Sequence, residues 1–152
     1  APEYQWLARE PRKPLVLRGA RQVGKSTLVR EFVKNTGLIL NEINLERHLY
    51  LDEIFKSTDT DQICRELEAL IGRDVREKNS LLFLDEIQAT PHALMALRYL
   101  YEDLPELPVI AAGSLLEFSL SDHSFSMPVG RIEYYHLQPL SFSEFLDALK
   151  HK

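Results

Sequence analysis

The chain has 152 residues, of which 45% are hydrophobic and 27% are charged, and its formal net charge at pH 7 is −5. This length and composition fit a single globular domain and exclude a disordered chain. The negative charge gives no overall attraction to a polyanion, so contact with nucleic acid would require a local basic patch or another domain.

The cysteine content and the chain ends lead to further expectations. The single cysteine, Cys64, cannot form an internal disulfide, which is typical of a reducing cytoplasm, and we interpret it as a small buried hydrophobic residue. The sequence has neither a signal peptide nor a run near the roughly 18 apolar residues of a membrane span, so we expect a cytoplasmic protein without a membrane partner. The chain begins with Ala1-Pro2 and ends directly after a predicted helix. We therefore expect it to be a fragment of a longer polypeptide.

The first predicted strand, Leu15 to Leu17, leads into a glycine-containing segment that fits G-x-x-x-x-G-K-[ST]: Gly19-Ala20-Arg21-Gln22-Val23-Gly24-Lys25-Ser26. This is the pattern of a phosphate-binding P-loop, in which backbone N–H groups and the start of the next helix attract an anion. We expect Lys25 to reach the β- and γ-phosphates and Ser26 to ligate Mg²⁺. The alternative is a glycine turn with a solvated lysine.

Neighbouring residues carry weaker signals. Arg21 occupies a variable position of the loop, where it would touch phosphate or face solvent, and Thr27 would contact the α-phosphate or pack within the helix. Tyr4 and Trp6 precede the first strand, where an adenine ring could lodge, but packing in the core is the favoured interpretation.

A second motif follows a strand predicted over Leu81 to Leu84. These four apolar residues show no polar alternation, which predicts a central strand buried on both faces, and Asp85 and Glu86 come directly after it. Such a strand ends beside the phosphates in a Walker B element. We expect Asp85 to hold Mg²⁺ through water and Glu86 to orient or deprotonate an attacking water. The alternative is a strand that runs into an acidic turn.

The remaining elements complete an alternation of strands and helices. Further strands are predicted over Leu38 to Leu45, Val109 to Ala112 and, with the mixed pattern of an edge strand, Ile132 to Leu137. Helix starts are predicted at Asp59, which pairs with Gln62 as a cap, and at Thr90-Pro91, an N-cap residue followed by a proline in the first helical position. A third helix is predicted to start at the capping box that begins with Ser141. Residues 119–128 are expected to form a loop near the site. This order predicts an α/β fold with a parallel sheet between two helical layers.

Several of these segments together resemble the prokaryotic AAA-superfamily ATPases of the Asp-Glu-Ile-Gln type: Gly19 to Ser26, Asp85 to Gln88, Val109 to Ser114, and Gly130-Arg131 followed by Leu137 to Phe142. The resemblance covers nearly the whole chain and implies one ATP-binding domain over residues 1–152. It also implies a three-layer P-loop NTPase fold with a mostly parallel five-stranded sheet in the order 5-1-4-3-2. In such proteins a winged helix and a nuclease-like domain of the PD-(D/E)XK fold commonly follow.

The resemblance implies two further site residues. Ser114 matches the sensor 1 position, where a polar side chain contacts the γ-phosphate or the attacking water, and a plain Gly-Ser turn is the alternative. Arg131 matches the position of an arginine finger, which often acts in the site of a neighbouring subunit, and a surface arginine is the alternative.

The sequence therefore predicts Mg²⁺-dependent ATP binding and hydrolysis that drives or regulates an attached C-terminal domain. Expected partners are ATP, a second subunit through Arg131, and nucleic acid through the C-terminal domain. A nucleotide-dependent switch with negligible turnover is the first alternative. A small-molecule phosphotransferase is the second, and the acid that directly follows Asp85 argues against it.

Overall fold

A computed structural model of the chain describes residues 6–8, 13–19, 24–113 and 133–137. Within them lie five strands: β1 (Leu15–Gly19), β2 (Ile39–Asn44), β3 (Ser80–Asp85), β4 (Val109–Gly113) and β5 (Glu133–Leu137). Four α-helices have both ends within these residues, α1 (Lys25–Lys34), α2 (Leu51–Lys56), α3 (Thr60–Ile71) and α4 (His92–Asp103), and residues 6–8 are also helical. Short 3₁₀ helices at Leu45–Arg47 and Ile87–Ala89 follow β2 and β3. The predicted helix after Ser141 and the predicted loop at residues 119–128 lie outside the described residues.

The strands form one parallel sheet in the order β2-β3-β4-β1-β5. The four strands whose side chains are described run in the order 1-4-3-2, and the backbone of β5 pairs with β1 on the far side. The predicted α/β class with a parallel sheet is therefore confirmed, and this strand order is the one that the resemblance implied. Because all strands are parallel, the carboxyl ends of β1, β3 and β4 lie at one edge of the sheet.

Two hydrophobic cores cover the two faces of the sheet. Leu81 and Phe83 of β3 pack in one core with α1 and Trp6, whereas Leu82 and Leu84 pack in the other with α2, α3 and α4. All six residues of β3 are buried, as predicted for a central strand. Trp6 is 1% exposed and its indole N–H donates to the Lys13 carbonyl, which supports the packing interpretation of this residue. Tyr4 lies outside the described residues.

The predicted helix starts have different outcomes. At α3 the Asp59 side chain accepts a hydrogen bond of 3.2 Å from the Gln62 amide, which confirms the predicted cap. At α4 the predicted Thr90 cap is wrong, because Thr90 Oγ1 is buried without a partner in the described part of the chain. Asp52 of α2 accepts a hydrogen bond of 2.9 Å from the His92 amide instead. A backbone N–H group at the start of α4 is thus paired with a side chain from another helix. None of the described helices is long and apolar enough to span a membrane.

Candidate functional site

The junction between β1 and α1 holds Lys25 at the carboxyl edge of the sheet. Gly24, directly before α1, has φ 74° and ψ 36°, a left-handed conformation that glycine adopts without steric cost. Lys25 begins the helix, is only 5% exposed, and its Nζ donates to the Gly19 carbonyl over 3.0 Å. This burial contradicts the alternative of a solvated lysine. It leaves a cation fixed next to the N-terminus of α1, where anions are favoured.

The two predicted metal ligands are in direct contact. Ser26 Oγ donates a hydrogen bond to Asp85 Oδ2, although the residues lie 59 positions apart in the sequence. The other carboxylate oxygen, Oδ1, accepts from the Glu86 amide over 2.9 Å. The fold therefore joins the start of α1 to the end of β3 through polar side chains, as a magnesium site in a P-loop protein requires.

The electrostatics around Asp85 favour a cation. Burial raises the pKa of the Asp85 carboxyl, the carboxylates of Glu86 and Glu42 raise it further, and the hydrogen bonds from Ser26 and from the Glu86 amide act in the opposite direction. Because burial and negative neighbours destabilise the charged form, a bound cation would relieve them. The hydroxyl and carboxylate oxygens also fit Mg²⁺, which takes oxygen ligands and keeps several waters.

Glu86 has an unusual backbone. Its φ of 55° and ψ of 48° place it in the left-handed region, which is uncommon for residues other than glycine and often marks functional sites. This conformation ends β3 and starts the 3₁₀ helix at Ile87–Ala89. The half-buried carboxylate accepts a hydrogen bond from Gln88 Nε2, with 2.6 Å between Nε2 and Oε2. The predicted base is thus held by a neighbouring side chain.

A further acid next to the site was not predicted. Glu42 of β2 accepts two hydrogen bonds from Arg30 of α1, with 2.9 Å from Nε to Oε1 and 2.6 Å from Nη2 to Oε2. Arg30 follows Ser26 by four residues and therefore lies on the same side of α1. That spacing is a usable sequence signal for Arg30, whereas the strand pattern of β2 alone does not identify Glu42 as its partner.

The structure brings together six of the predicted site residues: Gly19, Gly24, Lys25, Ser26, Asp85 and Glu86. Thr27 is exposed, which argues against its interpretation as a packing residue. The remaining predicted residues lie outside the described residues, and their roles stay predictions: Ala20, Arg21, Gln22, Val23, Ser114 and Arg131.

A cavity of about 820 Å³ lies at the opposite edge of the sheet. Its lining includes Leu38, Ser80 and Pro108, which stand at the amino ends of β2, β3 and β4. The basic side chains of its lining, Arg76 and Lys78, are balanced by nearby acids such as Asp103 and Glu106. We therefore place the candidate site at the carboxyl edge, where the motif residues converge, and not in this cavity.

Comparison with family models agrees with this arrangement at the level of the family. A family model described as an AAA domain matches residues 11–146. Among solved structures, the chain is similar to the Walker-type ATPase PABY2304 of Pyrococcus abyssi, with 23% sequence identity and a TM-score of 0.48. The match covers 89% of this chain and 52% of that one, so the chain spans about half the length of that protein. No curated protein matches the sequence significantly.

Proposed function

The chain belongs to the AAA domain family, and from this premise we propose that it binds ATP together with Mg²⁺ and hydrolyses it. The observation that carries the proposal is the hydrogen bond between Ser26 and Asp85 beside the buried Lys25. Two motifs that are far apart in the sequence supply the ammonium group that would contact phosphate and the oxygens that would hold the metal, all at one edge of the sheet.

Each residue has a role in this proposal. Lys25 and the amides of Gly19 to Gly24 hold the β- and γ-phosphates, while the oxygens of Ser26 and Asp85 hold Mg²⁺. The ion, when bound, neutralises charge on the phosphates. Thr27 contacts the α-phosphate, Ser114 senses the γ-phosphate, and Arg131 stabilises the charge that develops during transfer. These last roles rest on the motif and on the resemblance.

Glu86 is the proposed general base. The water oxygen forms a bond to the γ-phosphorus, and the bond from that phosphorus to the β,γ-bridging oxygen breaks. The proton of the water passes to the Glu86 carboxylate, and ADP leaves with the electron pair of the broken bond. The left-handed backbone of Glu86 and its position directly after Asp85 support this assignment.

The attached machinery is a further part of the proposal. We expect the nucleotide state to drive or regulate a C-terminal domain, with nucleic acid as a partner of that domain. Arg131 is proposed to act in the site of a neighbouring subunit, which would make activity depend on self-association. Arg131 itself lies outside the described residues.

Replacement of the base separates a hydrolase from a nucleotide switch. Glu86→Gln keeps the size of the side chain and removes the proton acceptor, so turnover should fall about 100-fold or more while ATP affinity stays within about twofold. Phosphate release and calorimetric titration measure the two quantities. Glu53→Gln, the same change at an exposed position of α2, is the matched control and should behave as wild type. Equal phosphate release by wild type and Glu86→Gln would favour the switch.

A further inference from the structure

We propose that Gln88 is the positioning residue that orients the Glu86 carboxylate for hydrolysis. The proposal rests on the proposed function, because it assigns a partner to the general base of that reaction. It starts from the hydrogen bond that Gln88 Nε2 donates to Glu86 Oε2 over 2.6 Å.

The backbone of Glu86 is fixed on both sides, so the remaining freedom belongs to its side chain. The Glu86 amide donates to Asp85 Oδ1 over 2.9 Å, and its carbonyl accepts from the Ala89 amide over 3.0 Å. These bonds hold the left-handed conformation with φ 55° between β3 and the 3₁₀ helix. Gln88 lies within this same short helix, so the turn that positions Glu86 also positions the residue that holds its carboxylate.

The direction of the hydrogen bond follows from the chemistry of the two groups. A carboxylate accepts hydrogen bonds, so the NH₂ end of the amide must face it, because a flipped amide would bring two oxygens into contact. The other end, Gln88 Oε1, is buried and has no hydrogen-bond partner among the described residues. A buried acceptor of this kind is costly to stability. An apolar side chain of the same length would avoid that cost, so folding alone does not account for a glutamine here.

The two carboxylate oxygens of Glu86 differ in their hydrogen bonding. Oε2 is bound to Gln88, whereas Oε1 accepts no hydrogen bond from a described residue. With one oxygen held, rotation of the carboxylate is restricted, so the direction of the other oxygen is restricted as well. A correctly oriented base raises the rate of the chemical step without strengthening substrate binding.

The test removes the donor and retains the length of the side chain. In the full chain, Gln88→Met should lower kcat about 10- to 100-fold, the size of loss usual when the hydrogen-bond partner of a metal-binding side chain is removed. KM and ATP affinity should change less than twofold, and the melting temperature should stay equal or rise. Gln88→Glu, which keeps the shape and places a second carboxylate against Glu86, should lose at least as much kcat.

A double-mutant cycle distinguishes positioning from a structural role. In the Glu86→Gln background, Gln88→Met should lower turnover no further, because the group that Gln88 orients is already inactive. An equal loss in both backgrounds, or wild-type kcat in both Gln88 variants, overturns the role of Gln88 and leaves the ATPase proposal intact. Absence of ATP turnover in the wild-type chain overturns the proposed function and this inference with it.

Discussion

At the scale of single residues, Asp85 stands out as a buried acid near other acids. The residue is 6% exposed, and its carboxylate lies near the negative charges of Glu86 and Glu42. A residue selected for stability alone would not carry a charge there, since burial of a charged group is unfavourable unless it is fully paired. The position is explained by the ligand that it is proposed to hold.

Asp85→Asn should therefore stabilise the protein while removing its function. Asparagine can accept from the Glu86 amide and donate to Ser26, and it carries no charge, so we expect the melting temperature at pH 7 without Mg²⁺ to rise by about 2–4 °C. Thermal unfolding checks this, and phosphate release by the variant should fall at least about tenfold.

The pH dependence of that gain follows from the raised pKa of Asp85. Because the folded carboxyl binds its proton more tightly than the unfolded one, the unfolding free energy of the wild type decreases as pH rises through the folded pKa. The melting temperatures of wild type and Asp85→Asn should thus converge at a pH below the ordinary Asp value of about 3.9. A variant that is less stable than wild type at pH 7 would contradict this account.

Sequence motifs identify the candidate site residues, but they identify less well the neighbouring residues that form hydrogen bonds with them. The sequence motifs predicted that Lys25, Ser26, Asp85 and Glu86 lie together, as the structure shows, while their roles toward phosphate and metal stay predictions. The bond between Gln88 and Glu86 depends on a left-handed turn at Glu86, which residue type does not predict. The same holds for Glu42, whose contact with Arg30 requires β2 to lie beside α1.

At the scale of elements, the helix starts show when a local sequence pattern is sufficient to predict the capping residue. The cap of α3 could be predicted because Asp59 and Gln62 are close in sequence. The cap of α4 could not, because Asp52 comes from α2 and approaches only when the helices pack. Its carboxylate bonds both the amide and the Nδ1 atom of His92, each over 2.9 Å. Asp52, which is distant in sequence, therefore takes the capping role that was expected of Thr90.

Paired substitutions test which residue caps α4. Asp52→Ala should lower stability by about 0.5–2 kcal/mol, the usual cost of losing a helix cap. In a domain of this size that corresponds to a melting temperature lower by about 2–4 °C per kcal/mol. Thr90→Val is the control, since it removes a buried hydroxyl without a partner in the described residues and keeps the shape. It should be neutral or stabilising. A larger loss for Thr90→Val than for Asp52→Ala would restore Thr90 as the cap.

At the scale of the whole molecule, the pattern of strands and helices predicts the layers but does not predict the strand order. Alternation indicates a parallel sheet with helices on both faces, and the two cores agree with this. The insertion of β4 between β1 and β3 follows from long-range pairing, such as Leu17 with Ala112. Spacing along the chain does not determine which strands become neighbours, so the order was available only through the resemblance.

Cys64 offers a probe of global stability that is not part of the candidate site. It lies on α3 in the core formed with α2 and α4, it is fully buried, and burial raises the pKa of its thiol to about 11. Both burial and the low thiolate fraction suppress alkylation in the folded state. Labelling at pH 8 should therefore require unfolding, and its rate reports the unfolded population.

ATP with Mg²⁺ should protect Cys64 if nucleotide binds the folded domain. At a free ligand concentration of 100 times Kd, the folded state gains about 2.7 kcal/mol, so alkylation should slow about 100-fold. Lys25→Ala should weaken affinity at least about tenfold, and protection at the same ATP concentration should fall to about tenfold or less. Omission of Mg²⁺ should reduce protection in the wild type, because Ser26 and Asp85 then bind no ion that contacts the phosphates. Full protection of Lys25→Ala would show that the nucleotide binds elsewhere, since no ligand held by that ammonium could remain unaffected by its removal.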